Sequence, residues 1–237
     1  LGFMALGMKE FTEFKPDDIL AEPLIYTSYV SSCEGHEAQY KPIVSMEHLK
    51  GILEAKLEEY NENIASMNLV LFDQAMEHIS RIARIIDLPV GSALLVGVGG
   101  SGKQSLAKLS SFILSYDVVR IVVASNYKLA DLKTDIQGMF TKAGVAGNQL
   151  LFILTDSQIA DERFLVYIND LLSSGYIPEL FPKDELDGII GKVRSEAKQA
   201  GYEDTPDALF DFFQDKVRKN LHLALCFSPV GDAFRIR

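Results

Sequence analysis

"LLVGVGGSGKQS", Leu94 to Ser105, decides how this chain is read. An apolar run ends at Gly97, three further glycines follow at 99, 100 and 102, and a lysine stands directly after the last. Strand, glycine-rich turn and helix, with lysine at the junction, is the context a phosphate-binding loop requires. The glycines let successive backbone N–H groups converge as an anion nest, and the helix N-terminus adds its positive dipole end. Gly97, Val98, Gly99, Gly100, Ser101, Gly102, Lys103, Gln104 and Ser105 are therefore the candidate nucleotide-binding residues, with Lys103 reaching the β- and γ-phosphates. A ligand-free glycine turn is the competing reading, but it needs no lysine at that place.

Gln104 breaks the pattern. A Ser or Thr hydroxyl there would bind Mg²⁺ directly, whereas a longer carboxamide suits a tight octahedral site poorly. Ser105 is rotated by about 100° around the helix and does not simply substitute. Magnesium is expected to bind less well, or through water.

Outward from the loop, short apolar strands alternate with helices. "ALLVG", "VVRIVVASN", "QLLFILTD" and "LHLALCFS" read as strands; "KQSLAKLSSFILSY", "LADLKTDIQGMFTKAG", "ERFLVYINDLLSSG", "KDELDGIIGKVRSEAKQAG" and "TPDALFDFFQDKVRKNL" read as helices. Apolar strands separated by helices predict an α/β fold, a parallel sheet with helices on both faces. Thr205-Pro206 reads as a helix cap and first-turn proline. Before the loop, Ser45 caps a helix with Met46, Leu49, Leu53, Leu57 and Tyr60 on one stripe. A second stripe runs through Phe72, Met76, Ile79, Ala83 and Ile86, and both are read as core-packing faces. Residues 1–66 are expected to form an arm and helix packing on a nucleotide-binding subdomain of 67–237, with "LIYTSYV" (Leu24–Val30) as a strand-like stretch.

A phosphate loop needs a magnesium-orienting aspartate at the end of a neighbouring buried strand, and "QLLFILTDSQI" offers Asp156. Its alternative role is to cap the following helix. In ring-forming ATPases a glutamate that polarises the attacking water follows this aspartate. Here the next residue is Ser157, a weak base, and general base catalysis typically supplies about 10²–10⁴-fold. Asp161 and Glu162 are expected to point elsewhere. Two departures agree, so binding reads as intact and hydrolysis as crippled.

The bulk composition narrows the classes. The chain has 237 residues and a net charge of −10, which argues against nucleic acid or an anionic membrane surface as partner. Cys33 and Cys226 show no disulfide or zinc spacing, and the four histidines form no metal pair. No apolar run reaches the about 18 residues of a membrane span, and the N-terminus lacks signal-peptide features. The start at Leu1 and the stop after "SPVGDAFRIR" suggest a piece of something larger.

Together, "MNLVLFDQAMEHISRIARIIDLPVGSALLVGVGGSGKQSL", "LTDSQI", "FLVYINDLLSSGYIPELFPKDE" and "VRKNLHLALCFSPVGDAFRIR" resemble the fourth AAA+ module of the motor ring of an axonemal dynein heavy chain, over residues 67–237. The resemblance implies a P-loop NTPase of the AAA+ type, its large subdomain, with the fifth strand and the small helical lid missing. It implies ATP or ADP as ligand, a regulatory rather than hydrolytic role, and neighbouring AAA+ modules as partners. Microtubules and dynein intermediate or light chains would be reached only through the rest of the heavy chain, in the cytoskeleton of the ciliary axoneme. By the same resemblance Gly97 to Ser105 is the Walker A segment, Asp156 the Walker B aspartate, and Ser157 stands in the catalytic glutamate's place. Asn126 takes the switch position and Ser228 the sensor-1 position. Arg235 or Arg237 is the candidate arginine finger, with ordinary surface arginines as the alternative. The adenine pocket is expected around Leu88-Pro89-Val90. Three readings stand: a nucleotide-binding regulator, an active ATPase that compensates through Ser105, an acidic side chain or a neighbour's arginine, and a structural module with a vestigial loop.

Overall fold

The computed structural model describes Lys9 and residues 24–229. Leu150–Thr155 (β5) and Leu221–Phe227 (β6) are the most apolar strands and form the middle of a four-stranded parallel sheet. Ala93–Val96 (β3) pairs with β6, and Asp117–Val119 (β4) pairs with β5, so the order is β3-β6-β5-β4. Side chains alternate along a strand, and here each alternation feeds a different core. Leu150, Phe152, Leu154, Leu221, Leu223 and Leu225 enter one. Leu151, Ile153, Ala224 and Cys226 enter the other.

Helices cover both faces, as the sequence pattern requires. On the first lie Leu129–Thr141 (α5), Arg163–Ser173 (α6), Lys183–Gln199 (α7) and Pro206–Asn220 (α8). On the second lie Met46–Asn63 (α2), Asp73–Asp87 (α3) and Lys103–Ile113 (α4). Both expected caps form: Ser45 accepts the His48 N–H at 3.1 Å, and Thr205 accepts that of Ala208 at 3.3 Å with Pro206 behind it. The described part of the arm, residues 24–66, packs on the subdomain. Tyr29, Leu49, Leu53 and Tyr60 are buried in the same core as α3 and α4.

Three local expectations are corrected. "LIYTSYV" is mostly not strand: Tyr26–Thr27 (β1) pairs antiparallel with Lys41–Pro42 (β2), and Tyr29–Cys33 (α1) follows as a short helix. The turn into helix lets Tyr29 bury its ring and share a 2.8 Å hydrogen bond with Ser80. "VVRIVVASN" is strand only through Val119, because β4 is an edge strand with one partner and the Ile121 carbonyl is taken by the Gln158 side chain at 2.6 Å. Phe72 leaves its stripe: it is the N-cap residue of α3, in extended backbone, and is exposed.

His222 ties the foot of the sheet together. Its Nδ1 lies 2.6 Å from the Gly91 carbonyl, its Nε2 lies 3.1 Å from that of Lys219, and its ring packs edge-on against Tyr116. Burial holds the imidazole below its ordinary range, although the two carbonyls and Asp87 oppose the shift. A depressed folded pKa means the unfolded chain takes up the proton first. The melting temperature is therefore expected to fall as pH drops below about 6.5, and melts at pH 7.5 and 5.5 should show a smaller drop for His222→Gln.

Candidate nucleotide site

The loop forms where β3 ends. The Gly97 N–H donates to the Phe227 carbonyl at 3.1 Å, which anchors the exit of β3 to β6. Gly100 and Gly102 both have φ of +78°, the left-handed region where a side chain would be strained. That geometry starts α4 at Lys103, with Gly102 as its N-cap and the Leu106 N–H bonded back to its carbonyl at 2.8 Å. A side chain on Gly99 or Gly100 would meet nothing within 4 Å, so the crest of the loop faces open space and its backbone can be approached closely. Lys103 folds over this loop. Its Nζ donates to the carbonyls of Gly97 at 2.6 Å and Val98 at 2.8 Å, and to Ser101 Oγ at 3.2 Å.

The sheet topology brings the acidic residue to the same end. Asp156 follows β5 and Ser228 follows β6, both at the carboxyl edge where α/β proteins bind ligands. One oxygen of Asp156 accepts the Ser228 N–H and the other the Ser157 N–H, both at 2.9 Å. Partial burial pushes this carboxyl up, but the hydrogen bonds from Ser228 and Ser157 and the nearby charge of Lys103 outweigh it, and the net shift is downward. Asp156 is thus ionised at neutral pH, and each oxygen keeps a lone pair for water or a cation. Among the described residues no three His, Cys, Asp or Glu side chains cluster as a metal site. A magnesium ion here would take Asp156 from the protein and most other ligands from phosphates and water, which suits an ion that dehydrates reluctantly.

Gln104 and Ser105 are half-buried on the first turn of α4. Ser157 is exposed, and its hydroxyl shares a 3.0 Å hydrogen bond with that of Thr155. Asp161 is occupied by Arg163, whose side-chain and backbone hydrogen bonds hold the carboxyl at about 2. Asn126 lies on the exposed segment after β4, in a shallow depression with Arg120 and Tyr127. The structure thus brings together Gly97–Ser105, Asp156, Ser157 and Ser228. Arg235 and Arg237 lie outside the described residues.

Leu88-Pro89-Val90, where the adenine pocket is expected, and the loop lie at opposite ends of β3. Leu88–Val90 precedes β3 and the loop follows it, so the four residues of β3, at about 3.3 Å each, separate the two. Val90 is instead tied to the Arg218 carbonyl at 3.3 Å. The side chain that reaches the loop is Leu69, whose Cδ1 would lie 3.7 Å from a Cβ on Gly102. It belongs to the stretch before α3, where Met67, Leu69 and Leu71 turn inward and Asn68, Val70 and Phe72 outward.

Gln158 is a further residue of the site, outside the candidates that the motifs mark. Its carboxamide oxygen accepts the Thr155 N–H at 2.8 Å while its nitrogen reaches the Ile121 carbonyl, which holds the turn that carries Asp156. The pattern Thr155-x-x-Gln158 is a capping box, a signal that was available in the sequence.

Comparison with known proteins gives one family and several close relatives. Residues 67–237 match the family described as the P-loop containing dynein motor region D4. The chain is 55% identical over 217 residues to the flagellar outer arm dynein beta chain of Chlamydomonas reinhardtii, covering 91% of this chain and 5% of that protein. It is 46% identical over 229 residues to the ciliary dynein beta chain of Heliocidaris crassispina, covering 97% of this chain and 5% of the relative. Against human dynein axonemal heavy chain 17 the identity is 44% over 234 residues, or 99% of this chain and 5% of that one. The chain thus spans only a small part of the length of the curated relatives it matches. No helix among the described residues is long and apolar enough to cross a membrane.

Proposed function

The chain belongs to the P-loop containing dynein motor region D4 family, and from that premise we propose that it is a regulatory nucleotide module of an axonemal dynein ring, holding ATP or ADP with weak or no hydrolysis. The observation that carries this reading is the contrast within one site. Lys103 and the glycine loop are formed and Asp156 is ionised beside them. Yet Gln104 stands where a metal-holding hydroxyl belongs, and Ser157 is turned to Thr155 where a water-activating carboxylate belongs.

Each residue has a role in this reading. The backbone N–H groups of Gly99, Gly100 and Gly102 and the start of α4 hold the phosphates. Lys103 exchanges its loop carbonyls for phosphate oxygens. Leu69 gives the base an apolar wall. Asp156 orients a cation through water, and Ser228 couples that carboxylate to the chain beyond β6. Magnesium, when bound, neutralises phosphate charge. Arg235 or Arg237 would serve the neighbouring module's nucleotide, and Asn126 would act as a switch. Occupancy biases whichever ring arrangement contacts the nucleotide better, so the module tunes a motor without turnover. Microtubules and the other dynein chains are engaged by the rest of the heavy chain, in the axoneme.

Calorimetric titration with ATP and ADP, with and without Mg²⁺, tests the assignment. Both nucleotides are expected to bind, with a modest gain from magnesium that Asp156→Ala removes while binding without magnesium persists. Absence of binding by either nucleotide would favour a vestigial loop.

A further inference from the structure

The four-stranded sheet has β4 at one of its edges. Among the described residues β4 pairs only with β5. The Asp117 N–H donates to the Gln149 carbonyl at 2.9 Å. In a parallel ladder this commits Asp117 and Val119 to β5 and turns the N–H and C=O of Val118 to the open edge. Along that edge runs a cleft of about 890 Å³, walled by α2, the C-terminal half of α4 and the turn after α5. Its apolar lining includes Tyr60, Phe112 and Tyr116, the first two in edge-to-face contact at 5.3 Å.

The cleft carries charge that the described residues do not compensate. Lys56 is taken by Glu59 at 2.7 Å. Lys108 and Lys142, on the same walls, have no ion pair among the described residues. Burial, and then the neighbouring charge of Arg120, push the Lys108 ammonium below its ordinary range, which marks it as a cation short of an anion. This stands out in a chain with net charge −10. Asp117 at the foot of the edge disfavours a carboxylate beside it, so acidic positions of a partner would fall further along, toward the lysines.

We propose that this cleft receives an acidic, extended polypeptide segment that adds as a strand to the open edge of β4, with its carboxylates on Lys108 and Lys142 and an apolar side chain between them. Main-chain hydrogen bonds to an exposed edge supply affinity in such strand addition, and alternate side chains supply selectivity. Lysines also guard open edges against self-pairing, and the experiment separates the two roles.

The probe is a fluorescein-labelled peptide of alternating glutamate and valine, six residues long, titrated with the chain and followed by anisotropy. A lysine–valine peptide of equal length is the control. Saturable binding of the acidic peptide alone is expected, weakened by added salt and accompanied by slowed hydrogen exchange at the Val118 amide. Lys108→Glu with Lys142→Glu should raise Kd at least tenfold, and Val118→Pro should abolish binding. Melting curves check that both variants remain folded, and the lysine pair suffices if the proline variant does not. Three results would overturn the proposal: no binding, equal binding of the basic peptide, or affinity indifferent to the lysine pair. Concentration-dependent self-association that Val118→Pro removes would also overturn it, by making a second copy of this chain the occupant.

Discussion

Lys103→Ala is expected to lower the affinity for ATP and ADP by at least about 100-fold, while the melting temperature changes little. A hydrogen bond to a charged group contributes about 1.5–3 kcal/mol, and two such bonds to phosphate give about 3–6 kcal/mol, or two to four powers of ten in Kd. The folded chain depends far less on this ammonium. Its three partners, the carbonyls of Gly97 and Val98 and the Ser101 hydroxyl, belong to an exposed or partly exposed loop that water can satisfy. Calorimetry of the variant beside a thermal melt measures both halves. Retained affinity would move the ligand off this loop, and a large drop in melting temperature would make Lys103 structural.

Phe213→Ala is the largest expected loss of stability, about 3–5 kcal/mol for emptying a buried phenylalanine site. The ring is 1% exposed and stands between Phe181 and Phe210, with centroids 6.2 and 6.4 Å away. It also packs against Gly144, where an added Cβ would come within 2.3 Å of the ring. Glycine is therefore required there, in the π-helical turn Lys142–Ala146 that bridges α5 toward β5. With about 2–4 °C per kcal/mol for a chain of this size, the melting temperature should fall by roughly 6–20 °C. Denaturant melts of Phe213→Ala and Phe213→Leu check this, and the leucine variant should lose much less. A loss under about 1 kcal/mol for alanine would mean that α7 and α8 collapse onto the gap.

What was legible in the sequence follows from where the information is local. β5 and β6 announce themselves as apolar runs because both faces of the sheet are covered, and the caps Ser45 and Thr205 act within one turn of their own helices. The phosphate loop is legible because its glycines and lysine act through contiguous backbone. Strand pairing is not local. The end of β4 at Val119 depends on Gln158 reaching the Ile121 carbonyl from 37 residues away. Leu69 escaped notice for the same reason: its stretch has no helical period, and only the packing of α3 against α4 delivers it to Gly102. Leu88–Val90 is next to β3 in the chain but at the end opposite the loop, a placement that strand direction decides and sequence proximity does not. Phe72 fits a helical stripe on paper, yet it precedes the first helical turn and so escapes the helix geometry that would have buried it.

The decisive measurement is single-turnover chemistry. The chain in excess is mixed with γ-labelled ATP and Mg²⁺, and ADP and phosphate are followed after quenching. Typical turnover is about 10 s⁻¹, and loss of a general base removes about 10²–10⁴ of it. Binding without working chemistry therefore predicts that bound ATP persists, with conversion no faster than roughly 0.1 s⁻¹. Conversion at several per second, abolished by Lys103→Ala, would contradict it and make Gln104 and Ser157 parts of a working ATPase.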